Sequence, residues 1–155
     1  MHQLKQKINM LYFAYGSNMN HAEIKQWCPN AKFIIRAYLD DHKFIYDGYS
    51  AKRSGAVANI TSSKSGTVWG GMFEIKRDDL DSLDRKEGYD EKYPTVSVYD
   101  RKIVVVKDGE GNKYEAITYF RIGKKQGNPD AGYRQIVISG AEDCALPEDY
   151  IKDNL

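Results

Sequence analysis

Tyr12-Phe13-Ala14-Tyr15-Gly16-Ser17-Asn18 reads as the end of a buried apolar strand. The chain turns sharply at Gly16 and enters a helix through Ser17 and Asn18. A helix start leaves backbone N–H groups without intrahelical partners, and these can hold an anion. A plain strand-to-helix turn has the same sequence, so both readings stay open here.

Outward from this stretch, short strands dominate. Met10 to Tyr15 is an aromatic-rich strand, and Asn18 or Asn20 can cap a helix that runs to about Trp27 and ends at Cys28-Pro29-Asn30. Lys32 to Leu39 and Lys43 to Tyr46 read as two strands joined by a turn at Asp40-Asp41-His42. Gly55 to Ile60 is a strand of small residues that lets a backbone or ligand approach closely. Ser62 to Gly66 reads as a turn, and Thr67 to Ile75 as a strand with a bend or bulge at Gly70-Gly71.

Arg77 to Lys86 has acidic residues in its first turn, Leu80 and Leu83 on one stripe and Gly88 beyond its end, which predicts a short helix. Pro94 to Tyr99 and Lys102 to Val106 read as strands, and the turn at 108–112 leads into a further strand at Lys113 to Phe120. Gly123 to Gly132 reads as a flexible loop able to cover a site, Tyr133 to Ser139 begins a helix although its Ile136-Val137-Ile138 run also permits a strand, and Pro147 suits the first turn of a last helix. The strands do not alternate regularly with helices, which argues against a doubly wound sheet. The expected fold class is α+β, one domain over residues 1–155 built on a strongly curved sheet or small β-barrel with flanking helices. Residues 1–9, polar and basic, form a loose extension.

Composition narrows the function. Lys and Arg number 23 against 22 Asp and Glu, so nothing draws a polyanion, and nucleic acid is not an expected partner. The most basic stretch, Arg121 to Lys125, reads as a solvated loop. No apolar run is long enough for a signal peptide or a bilayer span, so no membrane is expected. Cys28 and Cys144 have no metal or redox spacing; two free thiols in a reducing cytoplasm is the plain reading, with a bridge still open. Near-neutral charge and surface tyrosines leave a homodimer open.

P-loop, dinucleotide and HExxH signatures are all missing, and neither a metal nor a cofactor is expected. No Gly-x-Ser-x-Gly elbow surrounds Ser17, which weakens a serine-hydrolase reading. Glu87 falls in the last turn of the Arg77–Lys86 helix, where the helix dipole and burial both disfavour an anion. Raised proton affinity suits a general base. A glutamate beside Arg85 and Lys86 is equally the pattern of a surface charge. Most of the 12 tyrosines read as core or rim, although Tyr133 follows the Gly-rich loop and can enter a site.

Tyr12 to Met19, Ser54 to Ile60 (Ser-Gly-Ala-Val-Ala-Asn-Ile), Val68 to Gly71 (Val-Trp-Gly-Gly), Ser82 to Gly88 (Ser-Leu-Asp-Arg-Lys-Glu-Gly), Tyr93, and the Tyr133 to Pro147 stretch occur in a telling order. On these motifs, over nearly the whole chain, the protein resembles the gamma-glutamylcyclotransferases and their AIG2-like relatives. The resemblance implies a compact mixed β-barrel with flanking helices. It also implies intramolecular aminolysis of a small γ-glutamyl amide, giving 5-oxoproline and a free amine or amino acid, without metal or cofactor. Glu87 matches the family's catalytic glutamate. Tyr15, Gly16, Ser17 and Asn18 match its substrate loop, Tyr12, Phe13 and Ala14 the strand side of that loop, and Tyr93 and Tyr133 its site tyrosines. Two alternatives remain at this level: a non-catalytic carboxylate-binding module of the same fold, and a relative that deglutamylates a natural product or γ-glutamylamine.

Overall fold

A computed structural model of the protein describes residues 10–93 and 98–155. Five strands close into a barrel: β1 (Met10–Ala14), β2 (Lys32–Ser50), β3 (Gly55–Ile75), β4 (Asp100–Lys107) and β5 (Lys113–Phe120). Around the barrel the order is β1-β3-β2-β4-β5. Every pair is antiparallel except β1 with β5, which meet in parallel at Tyr12 and Ile117 and close the ring. This agrees with the expected mixed barrel, and closure removes the free sheet edges. Among the described residues four helices flank it: α1 (His21–Trp27), α2 (Arg77–Glu87), α3 (Ala131–Asp143) and α4 (Glu148–Asn154). Phe13, Met19, Ile24, Met72, Leu83 and Val137 are among the fully buried side chains that join barrel and helices in one apolar core.

The two central strands are longer than expected. The predicted turn at Asp40-Asp41-His42 lies inside β2, and the predicted turn at Ser62–Gly66 lies inside β3. Asp40 pairs with Thr67 and His42 with Ser62, so residues 63–66 bulge opposite Asp41 alone. Asp41 and Ser65 take positive φ there, and Asp41 Oδ1 accepts from the Ser65 N–H at 3.2 Å. Turn-forming residues thus mark a bulge that bends a continuous ribbon. Gly70 and Gly71 do not form the expected bulge; pairing runs through them unbroken, and the shift falls between Phe33 and Ile35 on β2. Gly70 is there for contact, since a Cβ on it would stand 2.3 Å from Ala14 O.

Of the expected Pro94–Tyr99 strand, residues 94–97 lie outside the described residues, and Val98 and Tyr99 form a bend. Residues 1–9 are likewise outside them. The Gly123–Gly132 segment is tied down: Gln126 bridges Asp47, and the Gly127 and Ala56 N–H groups bond Tyr46 O and Asn128 O. Cys28 and Cys144 are free and buried, with the thiols directed to Asp79 O and Met19 O respectively. No described helix is long and apolar enough to cross a membrane.

Candidate active site

Three pieces of backbone converge at one end of the barrel. The first is the turn after β1. Ser17–Met19 is a single 3₁₀ turn whose first internal bond runs from the Met19 N–H to Gly16 O, so the Ser17 and Asn18 N–H groups precede the ladder. Asn20, not Asn18, caps α1, accepting from the Ala22 and Glu23 N–H groups at 3.1 Å. Gly16 is required by proximity: a Cβ on it would stand 2.8 Å from Ala58 Cβ on β3. From behind, α3 presses on the same turn at Gly140, where a Cβ would lie 2.4 Å from Asn20 N. Small residues on both sides therefore clamp the loop.

The second piece is α2. Asp79 accepts from the Lys76 N–H at its start, Leu80 and Leu83 bury its apolar stripe, and Gly88, left-handed at φ 70, ends it directly after Glu87. One turn before Glu87, Asp84 fastens the helix to the barrel. Its oxygens accept from Tyr119 OH on β5 and Arg101 Nη1 on β4, each at 2.6 Å. The third piece is the set Ala58, Tyr99 and Tyr133, joined through Ala58: its N–H donates to Tyr133 OH at 3.0 Å and its carbonyl accepts from Tyr99 OH at 3.1 Å.

These pieces enclose a small cavity of about 50 Å³. Tyr12, Tyr15, Gly16, Ser17 and Asn18 line it from the turn, Glu87 from α2, and Ala58, Tyr99, Tyr119 and Tyr133 from the remaining walls. It adjoins an outer groove of about 620 Å³ that shares Ser17, Glu87, Tyr99 and Tyr133 with it. Among the expected site residues, Phe13 and Ala14 belong instead to the barrel interior. Tyr93 is 62% exposed on the turn after α2 and lines neither space. Ala58 and Lys86 fall within the Ser54–Ile60 and Ser82–Gly88 motifs but carry no role of their own in the sequence, and Tyr99 and Tyr119 have no sequence signal beyond an excess of tyrosine.

Hydrogen bonding sets the site's electrostatics. Lys86 Nζ donates to Asn18 Oδ1. Lysine is a donor only, so this contact fixes the amide orientation and turns Asn18 Nδ2 toward Glu87 Oε1 (3.2 Å) and Tyr12 OH (2.9 Å). Burial raises the Glu87 carboxyl above the ordinary glutamate range, against the opposing pull of Lys86, Asn18 and Arg53. Lys86 is moved down by the same burial. The phenols are raised as well, Tyr99 to about 12, mainly by burial, so they stand as neutral hydroxyls. Tyr15 and Tyr119 spend their protons on Tyr119 O and Asp84. Tyr12 and Tyr133 accept from N–H donors, which leaves their own protons for a ligand. Among the described residues no group of His, Cys, Asp and Glu is placed to hold a metal ion. The cavity thus offers a proton acceptor of raised affinity, free hydroxyl donors and a backbone turn suited to a carboxylate.

Residues 67–153 match the model of the AIG2-like family. The chain is 31% identical over 146 residues to a human gamma-glutamylcyclotransferase, covering 92% of this chain and 75% of the relative. It is 30% identical over 144 residues to the mouse gamma-glutamylcyclotransferase, covering 90% and 74%. A solved structure of a gamma-glutamyl cyclotransferase superposes with a TM-score of 0.85 at 29% identity, over 94% of this chain and 85% of that one.

Proposed function

The chain belongs to the gamma-glutamylcyclotransferase family, and we propose that it converts a γ-glutamyl amide to 5-oxoproline and a free amine or amino acid, with Glu87 as general acid–base. The substrate's α-carboxylate rests on the Ser17 and Asn18 N–H groups. Its α-ammonium has no lone pair until a proton leaves, and Glu87, with raised proton affinity, accepts that proton. The amine then attacks the γ-carbonyl of the same molecule. A five-membered ring closes through a new N–C bond, the old amide C–N bond breaks as Glu87 passes its proton to the departing nitrogen, and the second proton of the ring nitrogen follows by the same carboxylate, which leaves a neutral lactam and an ammonium group. Nucleophile and target share one chain, so holding that chain bent supplies much of the acceleration. Tyr12 and Tyr133 hydroxyls are available for the developing oxyanion.

The observation that carries this reading is the convergence of Glu87 with the Gly16–Asn18 turn on one cavity, joined by the Asn18 amide. A plain carboxylate-binding module has no need of a buried carboxylate beside its anion cradle. Incubation with γ-glutamyl-alanine and a set of γ-glutamylamines, with assay of 5-oxoproline, tests it. Product from at least one substrate, lost in a folded Glu87→Gln variant, is the expected result. Undiminished turnover in that variant removes the base assignment.

A further inference from the structure

The outer groove continues from the inner cavity through Ser17, Glu87, Tyr99 and Tyr133, so whatever is attached to a seated γ-carbonyl extends into it. Its wall is cationic. Lys52, Arg53, Lys86, Arg121 and Lys124 line it, against Glu87 as the one acidic lining residue among those described. Three of these cations are matched within the protein. Arg53 pairs with Glu23, Arg121 with Asp47 at 2.6 Å, and Lys86 bonds Asn18 beside Glu87. Lys52 lies over the Trp27 ring at 5.4 Å, and neither it nor Lys124 has a carboxylate partner among the described residues.

A second observation concerns Arg121 itself. Its side chain is 8% exposed, and Nη2 makes the contacts to Asp47 O (2.8 Å) and Oδ1. Nη1 is buried without a hydrogen-bond partner among the described residues, although an unmatched guanidinium donor is costly. Gly48 stands directly over it: a Cβ there would lie 3.3 Å from Nη1 and 3.0 Å from Nη2. At Gly48 only backbone, with no side chain, stands against the buried Arg121 guanidinium, which also lies over the Tyr99 ring at 5.2 Å.

We propose that this groove is a leaving-group subsite for amines that carry two negative charges, of which an acidic amino acid is the simplest. One carboxylate lies against the Gly48 backbone, drawn by the Arg121 guanidinium behind it, and the other is met by the Lys52 and Lys124 ammonium groups. The proposal rests on the γ-glutamyl reading of the inner cavity.

Calorimetric titration of the Glu87→Gln variant, which cannot consume its ligand on that reading, tests the subsite by binding alone. The ligands are γ-glutamyl-glutamate, γ-glutamyl-alanine and γ-glutamyl-ethylamide. The dicarboxylic leaving group is expected to bind about tenfold tighter than alanine, and alanine tighter than ethylamide. Adding Lys52→Gln and Lys124→Gln, both at exposed positions, should bring the first two within about twofold. Equal affinities, a preference for the ethylamide, or a preference that survives the double substitution overturns the proposal. Turnover of the unsubstituted protein on the same ligands separates the two failures. Product from all three with flat affinities keeps the reaction and removes the subsite. Product from none removes the reaction, while the order of affinities still judges the subsite, and absence of all binding removes both.

Discussion

Asp47 is fully buried and Glu87 half-buried in a cavity at the same end of one barrel, and the fold treats the two carboxylates oppositely. Asp47 is held through both oxygens, one by an ion pair and one by hydrogen bonds. Arg121 pairs with Oδ1, while Asn59 Nδ2 (3.2 Å) and the Lys124 N–H (2.8 Å) bond Oδ2. Asn59 also bonds Arg121 through both its carbonyl and its N–H, so the cluster braces β2, β3 and the segment after β5. Glu87 has one hydrogen bond among the described residues, from Asn18, and faces a cavity. The nearest cation, Lys86, bonds the amide of Asn18 rather than the carboxylate. A buried carboxylate held through both oxygens by other elements is a brace; one with spare acceptor capacity and raised proton affinity has the properties that the proposed base needs.

The largest expected effect breaks that contrast directly. Glu87→Gln should lower kcat by about 10³-fold with an unchanged circular-dichroism spectrum. Asp47→Asn should instead cost about 3 kcal/mol in denaturant unfolding and lower turnover per folded molecule far less. If the asparagine variant folds and is inactive, brace and base are not separable. Next in size is the Asn18 amide. Asn18→Ala should lower kcat/KM about tenfold and move the acidic limb of the pH–rate profile upward. The sign follows from the lost hydrogen bond, which favours the ionised Glu87. A limb that moves downward would show that Asn18 does not act through that carboxylate.

Gly140→Ala sharpens the contrast from a distance. Its Cβ meets the Asn20 backbone, so a cost of about 1–3 kcal/mol in stability is expected, with a rise in KM as the 16–18 turn is displaced. An unchanged KM would mean that the turn does not contact substrate.

The smallest effect concerns pH and stability. Folded Glu87 binds its proton more tightly than unfolded glutamate with its value of 4.5. Its favourable contribution is therefore full below that value and is lost as pH rises through the folded one. Glu87→Gln should match the parent in Tm near pH 4 and exceed it by about 2–4 °C at pH 7. A variant less stable at pH 7 than the parent would reverse the assigned shift.

Much of the site was legible because its residues sit where local rules are strong. A strand ending in Gly16 and a helix ending at Gly88 are both read from short-range punctuation, and they bracket the turn and the carboxylate. Tyr99 was not legible, since a tyrosine in an irregular segment has no period to place it; the Tyr93 expected at the site stands on an exposed turn instead. Arg121 was read as part of a solvated loop, yet it is buried, because its partner Asp47 lies far away in sequence. Asp41 and the 62–66 stretch carry turn chemistry, and only pairing with the opposite strand turns that chemistry into a bulge.

By itself the sequence determined the helices, the order of the motifs and the family, since these rest on local propensity and linear spacing. Tertiary structure alone decided which charged groups are spent on each other and which remain for a ligand. Lys86 and Glu87 are neighbours in sequence, but their division of labour is made by Asn18, delivered from another element. Desolvation and hydrogen-bond geometry are properties of the assembled barrel, and they separate Glu87 from Asp47 where the residue letters do not.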